Sequence, residues 1–246
     1  MNIEDKEKKE IEFWRDAPEE KPGVLSVPNL INKFKEADIF IEKLVQYSDL
    51  FRSSDRILEL GGGQGWASSM VKHYHPNKNV ILSDISEHAV ESAVRWEGIF
   101  EVTLDGKQAF RSYETGLEKD SLDLVFCFAS AHHFVKHEKT FVELQRILKP
   151  GGKVLYLYEP VCRAYIYKLS FWRANRKRPQ VPEDVLIYKR LLKLARQRGF
   201  KALMIFSPTT KNRSVWGSVY YFFLGRLPYL QSIFPCTADF IFTKEG

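Results

Sequence analysis

The stretch Arg56–Met70, RILELGGGQGWASSM, decides how this chain is to be read. A short apolar run stops at Gly61, Gly62, Gly63 and Gly65, and a helix-forming sequence begins at Trp66. Glycines let a backbone turn through positive φ and approach a ligand closely. The first turn of a helix leaves N–H groups unpaired. Such a turn also occurs as plain structure in many α/β proteins, so its neighbours must say more. Asp84 closes the next apolar run, nineteen positions after Gly65, where a Rossmann unit places the carboxylate that grips ribose hydroxyls. Glu59 brings a second carboxylate to the end of the first run, facing the same crevice. Trp66 stands where the third glycine of G-x-G-x-x-G is needed for close packing, which disfavours NAD or FAD. No G-x-x-x-x-G-K-[ST] occurs, which excludes a P-loop.

Outward from this loop the chain alternates. Asn79–Ser83 is strand-like, Ser86 stands as the N-cap of a helix running to about Trp96, and Phe100–Leu104 reads as a further strand. Leu122–Phe128 has the composition of a buried strand. His137–Leu148 reads as a helix stopped by Lys149-Pro150-Gly151-Gly152, and Val154–Tyr158 as the next strand. The alternation predicts an α/β fold with a doubly wound, mostly parallel sheet covered by helices on both faces. Ahead of the loop, Leu30, Phe34, Ala37, Ile41, Leu44 and Val45 recur at helical spacing, which predicts a helix packed through those side chains. The charged first 22 residues, ended by Pro22-Gly23, read as a solvated helix or arm. Beyond Glu159-Pro160, Pro182–Arg198 reads as a helix, and Leu203–Phe206 and Ala238–Thr243 as the last strands. The aromatic run Val215–Phe234 lies between those two, and core packing is its commonest fate.

Four matches in order make the chain resemble a class I S-adenosylmethionine-dependent methyltransferase of the small-molecule branch. Glu59-Leu60-Gly61-Gly62-Gly63-Gln64-Gly65 fits that family's E/D-x-G-x-G-x-G loop, and Asp84-Ile85 its acidic residue after the second strand. Leu122-Asp123-Leu124-Val125 fits its fourth-strand entry, followed here by His132-His133, and Leu148-Lys149-Pro150-Gly151-Gly152 its turn before the fifth. The resemblance covers residues 55–158 and implies a seven-stranded Rossmann-like sheet with N-terminal helices and a C-terminal insertion. It implies S-adenosylmethionine as cofactor, with Gly61, Gly62 and Gly63 backing the methionine and ribose and Glu59 orienting the amino-acid end. Asp84 would accept from the ribose hydroxyls and Ile85 would pack on the adenine. Arg111 stands where the family has the Asp of D-A-x-x-L-P-F, which leaves the backbone of Ser112 as the adenine contact. Phe128 and Ala129 would border the methionine end.

Methyl transfer asks mainly that the acceptor be held in line at ~3–3.5 Å, and a base is needed only if the acceptor must lose a proton. His132 and His133 follow the fourth strand at the edge where α/β ligands bind, and His133 is the candidate base. Both could equally shape the pocket floor. His73 and His75 lack a complementary ligand cluster and read as surface histidines, so no metal is expected.

Composition divides the chain. The total is +6, but residues 161–246 hold sixteen Lys and Arg against four Asp and Glu, with sixteen aromatics. Arg173, Arg176, Lys177 and Arg178 form its densest cluster. This suits an anionic small-molecule or lipid- or glycan-linked acceptor, or a solvated basic face. Nucleic acid is disfavoured because no recognised module appears. Cys127, Cys162 and Cys236 make neither a disulfide framework nor a zinc site, which suits a reducing, cytoplasmic compartment. The N-terminus lacks a secretory signal, and Val215–Leu224 falls short of the ~20 apolar residues of a membrane span, leaving peripheral contact as the membrane option. We read residues 1–246 as one domain, with a helical cover (1–50), a cofactor core (51–160) and a basic, aromatic substrate side (161–246). The expected function is methyl transfer; the alternative is a catalytically silent protein of the same fold binding an anionic partner or membrane surface.

Overall fold

The computed structural model describes residues 3–17, 24, 26–177 and 181–246; the readings of Pro22-Gly23 and Arg178 lie outside them. Three helices come first: α1 (Ile3–Asp16), α2 (Val27–Gln46) and α3 (Ser48–Ser53). Alternating elements follow: β1 (Arg56–Leu60), α4 (Trp66–Tyr74), β2 (Asn79–Asp84), α5 (Glu87–Glu91), α6 (Ala93–Phe100), β3 (Gly106–Ala109), β4 (Leu122–Phe128), α7 (His137–Ile147) and β5 (Leu148–Cys162). The remainder is α8 (Tyr167–Ala174), β6 (Leu186–Ile187), α9 (Tyr188–Gln197), β7 (Phe200–Phe206), α10 (Val215–Arg226), α11 (Pro228–Gln231) and β8 (Cys236–Lys244).

Seven strands run in the order β3-β2-β1-β4-β5-β8-β7, with the two-residue β6 paired to the end of β5. β3, β2, β1, β4 and β5 are mutually parallel, while β8 is antiparallel to both neighbours. Two apolar layers cover the sheet. One gathers Phe141, Tyr156, Leu191, Phe200 and Phe242, and the other Phe40, Phe51, Trp66, Trp96 and Phe126. Phe40 alone meets Trp66, Phe126 and Phe128 with ring centroids 5.1–5.9 Å apart. The chain order reverses between β1 and β4, and at such a reversal the loops beyond the strand ends part to leave a crevice.

Several expectations need correction. Phe100–Leu104 is not a strand: Glu97 takes the N–H of Val102 on its carbonyl (2.9 Å) and that of Leu104 on its carboxylate (2.8 Å), so neither is left for a ladder. The polar Gly106–Ala109 pairs with β2 instead, as an edge strand that apolar patterning does not reveal. Ser86 makes no side-chain cap, and its helix breaks into two at Ser92. The region 182–198 opens with β6, and the helix begins only at Tyr188. On α2 the helix is as predicted, but the buried face is Ile39, Phe40, Lys43 and Leu44, whereas Phe34, Ile41 and Val45 are exposed. Lys43 is buried because Asp239 of β8 takes its ammonium at 2.7 Å, an ion pair that apolar spacing cannot disclose. Lys149–Gly152 is a bulge inside β5 rather than a turn before it, with the β4 register shifting around it.

Candidate active site

The crevice at the ends of β1, β2 and β4 is a cavity of about 380 Å³. Its floor is the glycine loop. Gly61, Gly63 and Gly65 have φ of +71°, +54° and +78°, which side-chain-bearing residues adopt at a cost. Gly62 has no room for a methyl: its Cβ would fall 2.5 Å from Leu82 and 2.6 Å from the Glu59 carboxyl carbon. Asp84, buried at the end of β2, accepts the N–H of Gly63 at 2.9 Å on one oxygen and that of Ser86 at 3.0 Å on the other. Burial, with the charge of Glu10 acting the same way, pushes its carboxyl up to about 6. One acid thus ties the glycine loop to the second strand and still faces the cavity.

Glu59 does something else. It lies under the loop, outside the cavity lining, and accepts the Ser68 N–H at 2.9 Å together with the Ser68 hydroxyl, so it closes the first turn of α4. Desolvation raises its carboxyl to about 8 despite those bonds. Gly61, Gly62, Gly63, Asp84, Ile85, Ser112 and Phe128 all line the cavity, as does Ala129. Ala129 (φ +49°), just past β4, and Tyr158 (φ +58°), where β5 shifts register against β8, are left-handed, local strain of a kind that concentrates at functional sites. The Ser112 hydroxyl is engaged with that of Thr140 at 2.8 Å.

At the opposite end a charged chain runs through the paired histidines. The fully buried Glu159 accepts the N–H groups of Ser130 (2.9 Å), Ala131 (2.8 Å) and His132 (3.1 Å), capping the 3₁₀ turn Ala131–His133. The same carboxylate holds His132 Nδ1 at 2.8 Å, and His132 Nε2 lies 3.0 Å from Glu183 Oε2. His133 Nε2 is 3.4 Å from that oxygen, and its Nδ1 is in ion contact with Glu10 at 2.7 Å, at an angle too poor for a hydrogen bond. Burial opposes charge on both rings, but the carboxylates outweigh it: His132 titrates above its ordinary value and His133 at about 10. Glu183 resists burial too, its carboxyl held well below the usual range by the two imidazoles. His133 faces the cavity and His132 stands behind the lining. At neutral pH His133 already carries its proton, so in this arrangement it donates and is not free to act as a base. His73 Nδ1 contacts the Phe100 carbonyl and His75 stacks on Phe51.

Sequence reasoning missed the roof. Glu7, Glu10, Phe13 and Trp14 of α1 line the cavity, and Trp14 lies so close to Gly63 that a Cβ there would be 2.9 Å from its ring. Glu7 fastens the helix by accepting from the Tyr113 hydroxyl (2.6 Å) and Arg111 Nε (3.1 Å). The unexpected Arg at 111 is thus a clasp for α1. Glu183 was missed as well. The aromatic helix α10 is not core: its Tyr220, Tyr221 and Leu224 pack inward, whereas Trp216 is 83% and Phe222 and Phe223 about half exposed.

Residues 58–156 match the family model described as a methyltransferase domain. A hybrid PKS-NRPS synthetase (xenE) of Xenoacremonium sinensis is 26% identical over 164 residues, 60% of this chain; the match spans 4% of that protein's length. Among solved structures, the geranyl diphosphate C-methyltransferase of Streptomyces coelicolor A3(2), in complex with Mg²⁺, geranyl diphosphate and S-adenosyl-L-homocysteine, matches with a TM-score of 0.68. The alignment is 12% identical and covers 98% of each chain. The phosphoethanolamine N-methyltransferase 2 of Haemonchus contortus, in complex with S-adenosyl-L-methionine, matches with a TM-score of 0.56 at 19% identity, over 78% of this chain and 49% of that one. At these identities the structural likeness speaks for the fold.

Proposed function

We propose, from the premise that this chain belongs through residues 58–156 to the class I S-adenosylmethionine-dependent methyltransferases, that it methylates a small or lipid- or glycan-linked acceptor. The observation that carries this is the single cavity shared by the glycine loop, Asp84 and the His133–Glu183 pair. The lining fits the cofactor. Asp84 and Glu10 offer negative charge to a sulfonium, the glycines leave space for its backbone contacts, and Phe128 gives the methionine end an apolar wall. S-adenosylmethionine, when bound, supplies a methyl group already activated for displacement. Asp84 holds the ribose hydroxyls, Ile85 and the Ser112 backbone bound the adenine, and Gly61–Gly63 back the methionine. Glu59 acts from beneath, by fixing the loop. Trp14 and Phe13 of α1 exclude water from above. His133 donates to the acceptor and orients it, and His132 positions His133 through Glu183. His133, held charged by its carboxylates, is not a free base, so an acceptor atom with its own charge or lone pair suits the site best.

The finer reading of the acceptor comes from the surface. Val215, Trp216, Val219, Phe222 and Phe223 form one exposed stripe along α10, continued by Tyr229 of α11 and by Tyr165, Leu169 and Trp172. Arg173 lies over the Tyr220 ring, and the Tyr165 hydroxyl reaches the Ile233 carbonyl, so α8 and α10–α11 make one face. Residues 161–176 and 207–235 contain no Asp or Glu but hold Arg163, Lys168, Arg173, Arg176, Lys211, Arg213 and Arg226. Lys211 is paired with Asp38 and Glu42 of α2, and the aromatic side chains with the remaining basic residues suit an anionic bilayer surface. Among the described residues no helix is long and apolar enough to cross a membrane. The three cysteines are unpaired and buried, which supports a place on the cytoplasmic side. The intact cavity favours an active enzyme over a silent binder.

The test incubates the protein and isotope-labelled methyl donor with whole-cell extract, membrane lipids included, separates the lipid and water-soluble fractions, and reads the label by mass spectrometry. The expected result is label in an anionic lipid or lipid-linked glycan, with turnover lowered at least tenfold in His133→Ala and S-adenosylhomocysteine affinity unchanged. Label only in water-soluble metabolites would refute the lipid assignment, and no label anywhere would refute the enzyme.

A further inference from the structure

We propose that His132, His133 and Glu183 form a binding site for one divalent transition-metal cation of the zinc type, placed to hold an oxygen of the methyl acceptor. Three independent features of the geometry support it. The first is convergence. His132 Nε2 and His133 Nε2 lie 3.0 and 3.4 Å from the same Glu183 oxygen, and one ligand atom from each of the three residues falls within 4.8 Å of the others. Bonds of roughly 2.0–2.1 Å to a tetrahedral ion put its donors ~3.3 Å apart. Two edges of such a polyhedron already exist, and the third pair of donors lies within 4.8 Å.

The second feature is what stands behind the ligands. A histidine that binds metal through one ring nitrogen usually gives the other to a carboxylate, which fixes its tautomer and direction. His132 has that partner, its Nδ1 meeting Glu159 at 2.8 Å, and His133 Nδ1 has the Glu10 carboxylate in ion contact at 2.7 Å. Glu159 is itself held by three backbone N–H groups. A divalent cation bound there takes the place of the His133 proton, sets its charge against the three carboxylates and takes over from His133 the contact with the acceptor. The third feature is an open side. His133 and Glu183 line the cavity while His132 closes the back, so the remaining coordination position faces the space left for the acceptor. Two imidazoles and one carboxylate suit zinc, iron, cobalt or manganese better than calcium or magnesium, which prefer all-oxygen cages.

The acceptor part of this inference rests on the methyltransferase reading; the cation site does not. The test uses the full chain dialysed against EDTA. It is titrated calorimetrically with Zn²⁺ and spectroscopically with Co²⁺, and S-adenosylhomocysteine binding is measured on the same samples. The expected result is one equivalent of Zn²⁺, a visible Co²⁺ band on binding, and at least tenfold weaker binding in both Glu183→Gln and His132→Ala. His73→Ala should bind as the wild type does. Absence of stoichiometric Zn²⁺ binding, or equal binding in Glu183→Gln and His132→Ala, overturns the site. Metal binding without S-adenosylhomocysteine binding would leave the site standing and remove the cofactor reading instead.

Discussion

Asp84→Asn tests the cofactor clamp because the structure separates its effect on binding from its effect on stability. The carboxylate already accepts two backbone N–H groups, at 2.9 and 3.0 Å, and the proposal gives it ribose hydroxyls as well. An amide keeps the shape but turns one acceptor into a donor and removes the charge. A hydrogen bond to a charged group is worth about 1.5–3 kcal/mol. S-adenosylhomocysteine should therefore bind about ten- to a hundredfold more weakly. Stability behaves differently. Burial raises the Asp84 carboxyl to about 6, against roughly 3.9 in an unfolded chain. The fold thus retains a proton that the unfolded chain has released, and the unliganded protein loses stability as pH rises from about 4 through 6. At 1.36 kcal/mol per unit this is on the order of 3 kcal/mol. The amide does not titrate, so the variant should lack that fall; the N–H left without an acceptor costs about 1–3 kcal/mol, which offsets the gain and leaves its melting temperature close to that of wild type near neutrality. Because ribose hydroxyls donate to the ionised form, wild-type affinity should rise through pH 6 and level off above it. Calorimetry from pH 5 to 8, with melting curves on the same samples, reads both. A variant binding within twofold of wild type at pH 7.5, or wild-type affinity flat across that range, would refute the reasoning.

Lys43→Met should be severe, because it leaves Asp239 buried and charged with only the Tyr47 hydroxyl and the Tyr158 N–H as donors. Breaking such a pair costs about 3–5 kcal/mol, or on the order of 10 °C in melting temperature for a chain this long; a loss under 2 °C would contradict the pairing. Glu7→Ala removes the clasp between α1 and the segment at Arg111–Tyr113. It should hasten tryptic cleavage within α1 and weaken S-adenosylhomocysteine binding roughly three- to tenfold, about the worth of one hydrogen bond; unchanged proteolysis and affinity would show that α1 is not the roof. Trp216→Ala combined with Phe223→Ala should abolish co-sedimentation with anionic vesicles at low salt while leaving the melting temperature within 2 °C, since both side chains are exposed; retained sedimentation would move the lipid contact elsewhere.

Arg56–Met70 and Asp84 were legible from sequence because their chemistry is local. A strand, a glycine loop and a helix are consecutive, and the carboxylate one strand later follows from the pitch of a βαβ unit. Leu122–Phe128 was equally clear, being buried on both faces. Gly106–Ala109 was not, since an edge strand of polar residues takes its ladder from β2 and leaves no apolar pattern. The buried face of α2 was misassigned for a similar reason: helical spacing fixes the period, but the sheet and the distant Asp239 choose the face. In the site, the histidine pair and Glu159 near the pocket rim were visible, while the carboxylates of Glu10 and Glu183 were not. Glu10, Glu159 and Glu183 come from three separate regions of the chain, and only packing brings them to one pair of rings. The aromatic run 215–234 carried an apolar signal on both helix faces, which composition reads as core and the fold leaves half at the surface.

A crystal of the full chain grown with S-adenosylhomocysteine would test the central claim most directly. The account predicts density for the nucleoside in the cavity, with both ribose hydroxyls within hydrogen-bond distance of Asp84, the methionine portion across Gly61–Gly63 and the sulfur directed toward His133. An empty cavity, or a ligand whose ribose lies away from Asp84, would contradict it.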